Sequence, residues 1–363
     1  MKGWRGEAAV ERGSHPLPQP GKGVWGFLLL APFTAFVLEL ALGSVLIPLG
    51  CVFSSLAGDE DVPEGWRQIV LLFRLPRAIT AMLSGAALGM AGLKMQTLFR
   101  NPLADPFVLG ISSGAGLGVA VLVMGFWTLG WNGYLEKSHM LGAAGIIAAA
   151  TIGALGALCI VLVIAHRVES NLTLLIVGLM IGYITNSLVS ILMQFSLDVQ
   201  MQTYIAWTFG SFAAVTWHHM PFFVVAVLAG IVMGGVIIKP LNALLLGEGY
   251  ARSMGVNVKG IRLWIILGTS LLAGSVSAYC GPIGFLGIAV PHLSRLLLRT
   301  SDHRALVPGV ILIGGAVALI ADVLSQVPGT RIVLPLNAVT SLMGAPVVIG
   351  VILHRHQAME AGS

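Results

Sequence analysis

Residues 143–164 read AAGIIAAATIGALGALCIVLVI, an apolar run without a single charge. A helix rises about 1.5 Å per residue, so about 20 apolar residues cross the roughly 30 Å of hydrocarbon in a bilayer. Runs of similar length recur along nearly the whole chain. We therefore predict an all-α integral membrane protein of about ten transmembrane helices. The predicted spans are 24–50, 77–98, 106–127, 140–164, 172–195, 220–238, 262–280, 283–298, 306–325 and 335–354.

Composition excludes a soluble protein. Hydrophobic residues make up 56% of the 363 positions and charged residues 10%, whereas about 25% of a soluble domain is charged. Only short tails, residues 1–23 and 355–363, flank the spans. Cys51, Cys159 and Cys280 lack the paired spacing of a zinc site, so no metal site is predicted. Basic residues bordering membrane helices explain the net charge of +5, which therefore does not indicate nucleic acid.

The distribution of charge predicts an orientation. If the ten spans are threaded in order, most of the 20 lysines and arginines fall on one side, which the positive-inside rule identifies as cytoplasmic. The first loop on the opposite side carries the acidic residues Asp59, Glu60, Asp61 and Glu64. Both termini are therefore expected in the cytoplasm.

The eighth predicted span is short and interrupted. Pro282 immediately precedes it and Pro291 lies within it, and broken helices at membrane depth occur where protein or a water-filled cavity satisfies the freed backbone groups. The segment is a candidate for a pathway wall, with tight helix packing as the alternative. Residues 283–288 (IGFLGI) also echo residues 106–111 (PFVLGI), five spans earlier and of opposite orientation. This echo predicts an inverted repeat, which is common among transporters.

The chain has no sequence motif that would supply energy. It contains no Gly-x-x-x-x-Gly-Lys-[Ser/Thr] phosphate-binding loop and no His-Glu-x-x-His motif. Uphill transport would need an ATPase on another subunit or an ion gradient. Glu39 and Asp322 lie within predicted spans and are the candidates for a proton relay. A stand-alone secondary carrier is therefore a rival hypothesis, and a membrane enzyme a weaker one.

Residues 240–255 form the most informative loop on the predicted cytoplasmic side. Leu241, Leu244 and Leu245 can share one helical face, and Gly247 interrupts the pattern before a second amphipathic piece. The pattern predicts two short helices joined by a turn. They either lie anchored in lipid headgroups or form a docking surface for a cytoplasmic partner.

Several ordered motifs carry a family resemblance that covers nearly the whole chain. They are Arg74-Leu75-Pro76-Arg77, Asn101-Pro102-Leu103-Ala104-Asp105-Pro106, Leu109-Gly110-Ile111-Ser112-Ser113-Gly114-Ala115, Lys239-Pro240-Leu241-Asn242, Leu245-Leu246-Gly247-Glu248, Ala251-Arg252-Ser253-Met254-Gly255, Gly281-Pro282-Ile283-Gly284-Phe285-Leu286-Gly287, Val290-Pro291-His292 and Asp302-His303-Arg304. With these motifs the chain resembles the FecCD-type permease family of ABC importers, which take up iron-siderophores, haem and cobalamin.

The resemblance implies a homodimer of ten-helix permeases in the bacterial inner membrane. Two cytoplasmic ATPase subunits would bind and hydrolyse ATP with Mg, and this chain would hold no cofactor of its own. A substrate-binding protein would dock on the outer face. The expected cargo is an iron chelate, a ferric siderophore or haem, with cobalamin as the alternative. No catalytic residue is expected in the permease.

The resemblance also implies roles for individual residues. The residues that would couple to the ATPase are Leu245, Gly247, Glu248, Ala251, Arg252 and Gly255. Those that would form the cytoplasmic gate are Asn101, Leu103, Ser170 and Asn171. The basic residues that would dock the binding protein are Arg74, Arg77 and Arg331. The expected pathway wall includes Gly281, Pro282 and Asn337.

Two positions depart from the family pattern. Gln326 stands where the family typically has a third docking arginine, and Arg331 is expected to substitute for it. Asn337 stands where the family has glycine at the entry to the last span, which would place a polar side chain near the pathway.

Overall fold

The computed structural model describes residues 21–59, 61–125, 143–168 and 170–360. Residues 1–20 of the predicted N-terminal tail and 361–363 of the C-terminal tail lie outside these ranges, as do residues 126–142 between the third and fourth predicted spans.

Within the described residues all regular structure is helical. The α-helices are α1 (Lys22–Ala41), α2 (Leu49–Ala57), α3 (Glu64–Gln68), α4 (Leu75–Leu98), α5 (Ile111–Ala120), α6 (Ala143–Arg167), α7 (Asn171–Gln194), α8 (Asp198–Thr208), α9 (Met220–Val236), α10 (Ile238–Leu245), α11 (Glu248–Ser253), α12 (Val258–Cys280), α13 (Leu286–Leu298), α14 (His303–Ser325) and α15 (Leu336–Glu360).

Each predicted span has a helical counterpart. Six described helical segments are long and apolar enough to cross a membrane: α1, α4 with the turns before it, α6, α7, α12 and α14. Helix α9 reaches the length of a span only together with the start of α10, from which it is bent by 57°. Three shorter apolar helices begin at Ile111, Leu286 and Leu336. These segments match the ten predicted spans one to one, which confirms the fold class of an all-α integral membrane protein.

The first predicted span ends earlier than expected. Helix α1 stops at Ala41, and a separate helix, α2, begins at Leu49. Gly43 and Pro48 lie in the interruption, where the Arg74 guanidinium donates hydrogen bonds to the carbonyl oxygens of Leu40 and Val45. Those carbonyls would otherwise face the next turn of a continuous helix.

Helix α4 lies at the centre of the bundle. Almost every side chain from Ser84 to Leu98 is buried, and the helix packs against α9, α12, α13 and α14. Its approach to α14 is close because both helices present glycine at the crossing. A Cβ added at Gly85 would lie 2.6 Å from the Cβ of Ala318 and would overlap the Gly314 carbonyl. Small residues allow such contact between membrane helices, where lipid provides no hydrophobic drive for association.

The two echoing segments of the predicted inverted repeat meet beside α4. Pro106 packs directly on Gly287, and a Cβ on Gly92 would overlap the Gly287 backbone. Each segment precedes a short helix, α5 in one case and α13 in the other. The repeat itself stays a prediction.

Replacing Gly85 should therefore destabilise the bundle. We expect Gly85→Val to lower the free energy of unfolding in detergent by about 1–3 kcal/mol or more, because overpacking forces the backbones apart. Gly156→Val is the matched control, since no atom lies within 4 Å of a Cβ at Gly156. Thermal unfolding that changes equally in the two variants would contradict this interpretation of the α4–α14 crossing.

Candidate functional site

Two short helices, α10 and α11, occupy the loop between α9 and α12. Gly247 joins them with a φ of +115°, a conformation that side chains with a Cβ rarely adopt. Leu241, Leu244 and Ala251 are buried and attach the pair to the bundle. The loop is thus a packed structural unit.

The outward side of these helices is apolar and uncovered. Leu246, Tyr250 and Met254 are 64%, 52% and 60% exposed. We call these three residues the loop-helix surface. An exposed apolar patch of this kind is typical of an interaction site, either with a protein or with the membrane interface.

The Glu248 carboxylate, at the start of α11, is where several elements meet. Its Oε1 accepts a hydrogen bond of 2.7 Å from Asn171 Nδ2 and lies 3.3 Å from Arg262 Nη2. Its Oε2 lies 3.3 Å from Arg252 Nη2. Arg262 is 4% exposed, so its contact with Glu248 is a partly buried ion pair. We call Glu248, Asn171 and Arg262 the carboxylate junction.

The carboxylate junction extends into the transmembrane helices. Asn171 Nδ2 also donates to the carbonyl oxygen of Leu98 at 3.0 Å, at the end of α4. Arg262 Nη1 donates to the carbonyl oxygen of Val168 at 3.0 Å, just before α7. One carboxylate therefore links α11 to the end of α4, the start of α7 and the start of α12.

The other predicted gate residues lie in the turns next to this junction. Ser170 is the N-cap of α7, where its hydroxyl accepts from Thr173 N. Asn101 lies three residues beyond Leu98, and its Oδ1 accepts from Leu103 N at 2.9 Å. The Leu103 side chain is 42% exposed. The structure therefore places Asn171 in contact with a predicted coupling residue, whereas the Leu103 side chain lies at the surface.

Helix α10 is attached to α14 by a separate polar contact. Asn242 Nδ2 donates to Asp302 Oδ1 at 2.6 Å, and Asn242 Oδ1 accepts from His303 N at 2.9 Å. Partial burial raises the pKa of the Asp302 carboxyl, but hydrogen bonds from Arg304 N and Asn242 more than offset this and hold the pKa below its ordinary value. The Asn242–Asp302 hydrogen bond thus stabilises the packing of α10 against α14 at neutral pH. It weakens as the pH falls through the pKa of Asp302 in the folded protein.

The opposite end of α4 carries a buried group of charges. Arg77 makes a bidentate pair with Asp322, with both N–O distances at 2.7 Å, and its Nε lies 3.9 Å from Glu39 Oε1. Gln326 Nε2 donates to Glu39 Oε1 at 2.6 Å. Arg74 lies near the same Glu39 carboxylate. The two candidates for a proton relay thus lie together in one cluster with Arg77.

The predicted docking residues differ in their surroundings. Arg74 is 6% exposed and donates to backbone carbonyls, and Arg77 has Asp322 as its partner. Arg331 lies in the loop before α15 and is exposed. A docking role for the three residues stays a prediction, and the structure adds that the first two already have partners within the chain.

The predicted wall segment interrupts the helical backbone between α12 and α13. Gly281 has a φ of +77°, and the Oδ1 of Asn337 accepts a hydrogen bond of 3.0 Å from Gly284 N. Asn337 N itself donates to the carbonyl oxygen of Phe209 at 3.0 Å. The polar side chain that departs from the family pattern therefore satisfies a backbone group that the broken helix frees.

Within the described ranges, no group of three or more His, Cys, Asp or Glu side chains could hold a metal ion.

Comparison with known proteins assigns the family. The sequence profile of the FecCD transport family matches residues 28–355. The chain belongs to the FecCD transport family. A Bacillus subtilis protein named as the uncharacterized ABC transporter permease YvrB is 32% identical over 345 residues, which cover 92% of this chain and 93% of that protein. The vitamin B12 import system permease BtuC of Citrobacter koseri is 36% identical over 318 residues, with 85% and 92% covered.

A solved structure of an ABC transporter has the same fold. It is described as an inward-facing conformation of a metal-chelate type ABC transporter, and the two superimpose with a TM-score of 0.76 at 27% identity. The superposition covers 92% of this chain and 99% of the other. The predicted resemblance to ABC transporter permeases is therefore confirmed.

Sequence reasoning missed one member of the carboxylate junction. Arg262 is the first residue of the predicted span 262–280, and neither hydropathy nor the family motifs assign it a partner. An arginine that begins an apolar helix is costly to leave unpaired in the membrane, and this signal could have indicated a buried partner. Glu39 and Asp322 were found from the sequence, but not their shared contact with Arg77.

The Arg77–Asp322 pair should show strong energetic coupling. We expect Arg77→Met alone to cost about 3–5 kcal/mol of unfolding free energy, because it leaves a buried carboxylate without its partner. Adding Asp322→Leu should restore much of that loss, since both charges are then gone. The measurement is thermal unfolding in detergent for both single variants and the double variant. Effects that add within about 0.5 kcal/mol would show that the pair is not coupled.

Proposed function

We propose that this FecCD permease is the membrane subunit of an ABC importer that moves an iron chelate by alternating access. Two copies of the chain form the pathway, with two ATPase subunits on one face and a substrate-binding protein on the other. ATP and Mg act at the ATPase, and this chain carries no ATPase motif.

The carboxylate junction is the observation that carries the proposal. Glu248 lies on a short helix whose outward side is apolar and exposed, and the same carboxylate holds Asn171 at the start of α7. A partner that pushes on the loop-helix surface would therefore displace the predicted gate directly. Asn171 also bonds the last turn of α4, so the displacement reaches two pathway helices.

The distribution of charged residues supports a cytoplasmic position for the loop helices α10 and α11. Arg100, Arg167, Lys239, Arg252 and Lys259 lie near the loop helices, whereas Asp59, Asp61 and Glu64 lie near the far end of α4. By the positive-inside rule the loop helices face the cytoplasm, where ATPase subunits would be, and both termini lie on that side. The membrane is then the bacterial inner membrane.

The relatives support two cargo classes. The similar solved structure is described as a metal-chelate type transporter, and the BtuC relatives are named as vitamin B12 import permeases. Both cargoes are large metal complexes, and specificity in such a system would come mainly from the binding protein. We propose an iron chelate, with cobalamin as the alternative.

Breaking the carboxylate junction should uncouple the transporter. We expect Glu248→Ala and Asn171→Ala each to lower ATP-driven uptake into proteoliposomes at least tenfold, and the double variant to be no worse than the poorer single one. Arg252→Ala is the comparison, and its loss should be smaller because an exposed ion pair contributes about 0.2–1 kcal/mol. Size-exclusion profiles should stay unchanged. If the folded Glu248→Ala variant takes up substrate as fast as the wild type, Glu248 does not couple the ATPase to transport.

The energy source separates this proposal from a secondary carrier. Permease reconstituted without the ATPase should accumulate no substrate under an imposed proton gradient, because the proposed energy source is ATP hydrolysis on a separate subunit and Glu39 and Asp322 are both engaged by Arg77. Uptake should require the ATPase and ATP hydrolysis. Gradient-driven accumulation by the permease alone would instead identify a secondary carrier.

A further inference from the structure

A second feature lies at the α10 end of the bundle, beside the loop-helix surface. A cavity of about 510 Å³ opens between the end of α4, the turn that follows it, α10 and α13. Its walls include Gln96, Arg100, Pro102, Leu245, Arg295 and Leu296. It thus lies between a predicted coupling residue, Leu245, and the turn that contains the predicted gate residues Asn101 and Leu103.

The cavity is positively charged. It contains the guanidinium groups of Arg100 and Arg295, and none of the described residues that line it is acidic. Arg295 Nη1 donates to Gln96 Oε1 at 2.6 Å, which fixes its side chain to α4. Asp302, which follows the lining residue Ser301, is already engaged by Asn242 and Arg304 N.

Arg100 has an uncommon backbone conformation. Its φ is +48°, in the left-handed region that residues other than glycine rarely adopt. The side chain is directed towards the joint between α10 and α11, since a Cβ on Gly247 would lie 3.7 Å from Arg100 Nη1. Among the described residues it has no side-chain hydrogen bond or ion pair. An exposed cation is thus positioned at the mouth of the cavity without an anion.

We propose that this cavity receives an acidic side chain of the partner ATPase, and this inference rests on the proposed function. Charge complementarity favours a carboxylate as the occupant, because two guanidinium groups line the site and Arg guanidinium binds carboxylates in a bidentate manner. The cavity borders the coupling helix, so a subunit seated on the loop-helix surface reaches it. The occupant would touch the turn at Arg100–Pro102 and so give the ATPase a second route to the gate, separate from Glu248.

The test compares two arginines in matched settings. Arg100 and Arg299 are both exposed, and each lies just after a helix. Each has a positive φ, +48° for Arg100 and +51° for Arg299. Of the two, only Arg100 lines the cavity. Nanodiscs of phosphatidylcholine alone are prepared with the wild-type permease and with the Arg100→Gln, Arg100→Glu and Arg299→Glu variants. The affinity of each for the partner ATPase is then measured at several salt concentrations.

We expect Arg100→Glu to weaken ATPase binding about tenfold and to flatten its salt dependence, with Arg100→Gln in between and Arg299→Glu within about twofold of wild type. Equal affinities of Arg100→Glu and Arg299→Glu would overturn the inference and leave the proposed function standing. Wild-type permease that does not bind the ATPase would overturn both.

A second measurement distinguishes a lipid occupant. Nanodiscs containing phosphatidylglycerol present an anionic headgroup at the same depth. If phosphatidylglycerol raises the unfolding temperature of wild type but not of Arg100→Glu, while the two bind the ATPase equally, the cavity holds a lipid phosphate and the inference fails. Weakened ATPase binding in phosphatidylcholine alone supports the carboxylate.

Discussion

In the hydrocarbon of a bilayer no water is available to bond a backbone amide or carbonyl, and this constraint governs the whole molecule. The regular structure of the described residues is helical for that reason. Where the chain leaves the helix between α12 and α13, Asn337 accepts the freed Gly284 N–H, and Ser211 N bonds the Cys280 carbonyl at 2.8 Å. An unpaired charge is also costly where water is absent, and Arg77 is paired with Asp322.

Helix α4 connects the two polar regions of the molecule. It has 24 residues and therefore spans about 36 Å. Arg77 lies in its first turn, in the charge cluster with Asp322, and the carbonyl of Leu98 at its end bonds Asn171. Because α4 is buried along most of its length, neither region can shift without moving the helices around it. The proposed coupling and the far-end charge cluster thus share one structural element.

Sequence alone predicted what depends on local composition. The spans follow from hydropathy, and the two short loop helices follow from the spacing of Leu241, Leu244 and Gly247. The predicted end of the first span was wrong, and the carbonyl groups freed there are bonded by Arg74, a contact between distant residues that hydropathy does not indicate. The carboxylate junction could not be predicted in the same way, because it consists of contacts between distant residues. The family pattern identified Glu248, but its bonds to Asn171 and Arg262 join three helices that no local sequence pattern relates.

The glycine crossing between α4 and α14 limits how this protein can change shape. Side chains can change rotamers and let two helices slide, but Gly85 and Gly314 meet backbone to backbone and have no side chains to rearrange. We therefore expect the two helices to move as a unit. One end of the pair carries Asp322 bound to Arg77, and the other carries His303 bound to Asn242 of α10, so a displacement of α10 would be transmitted along the pair to the far face of the membrane.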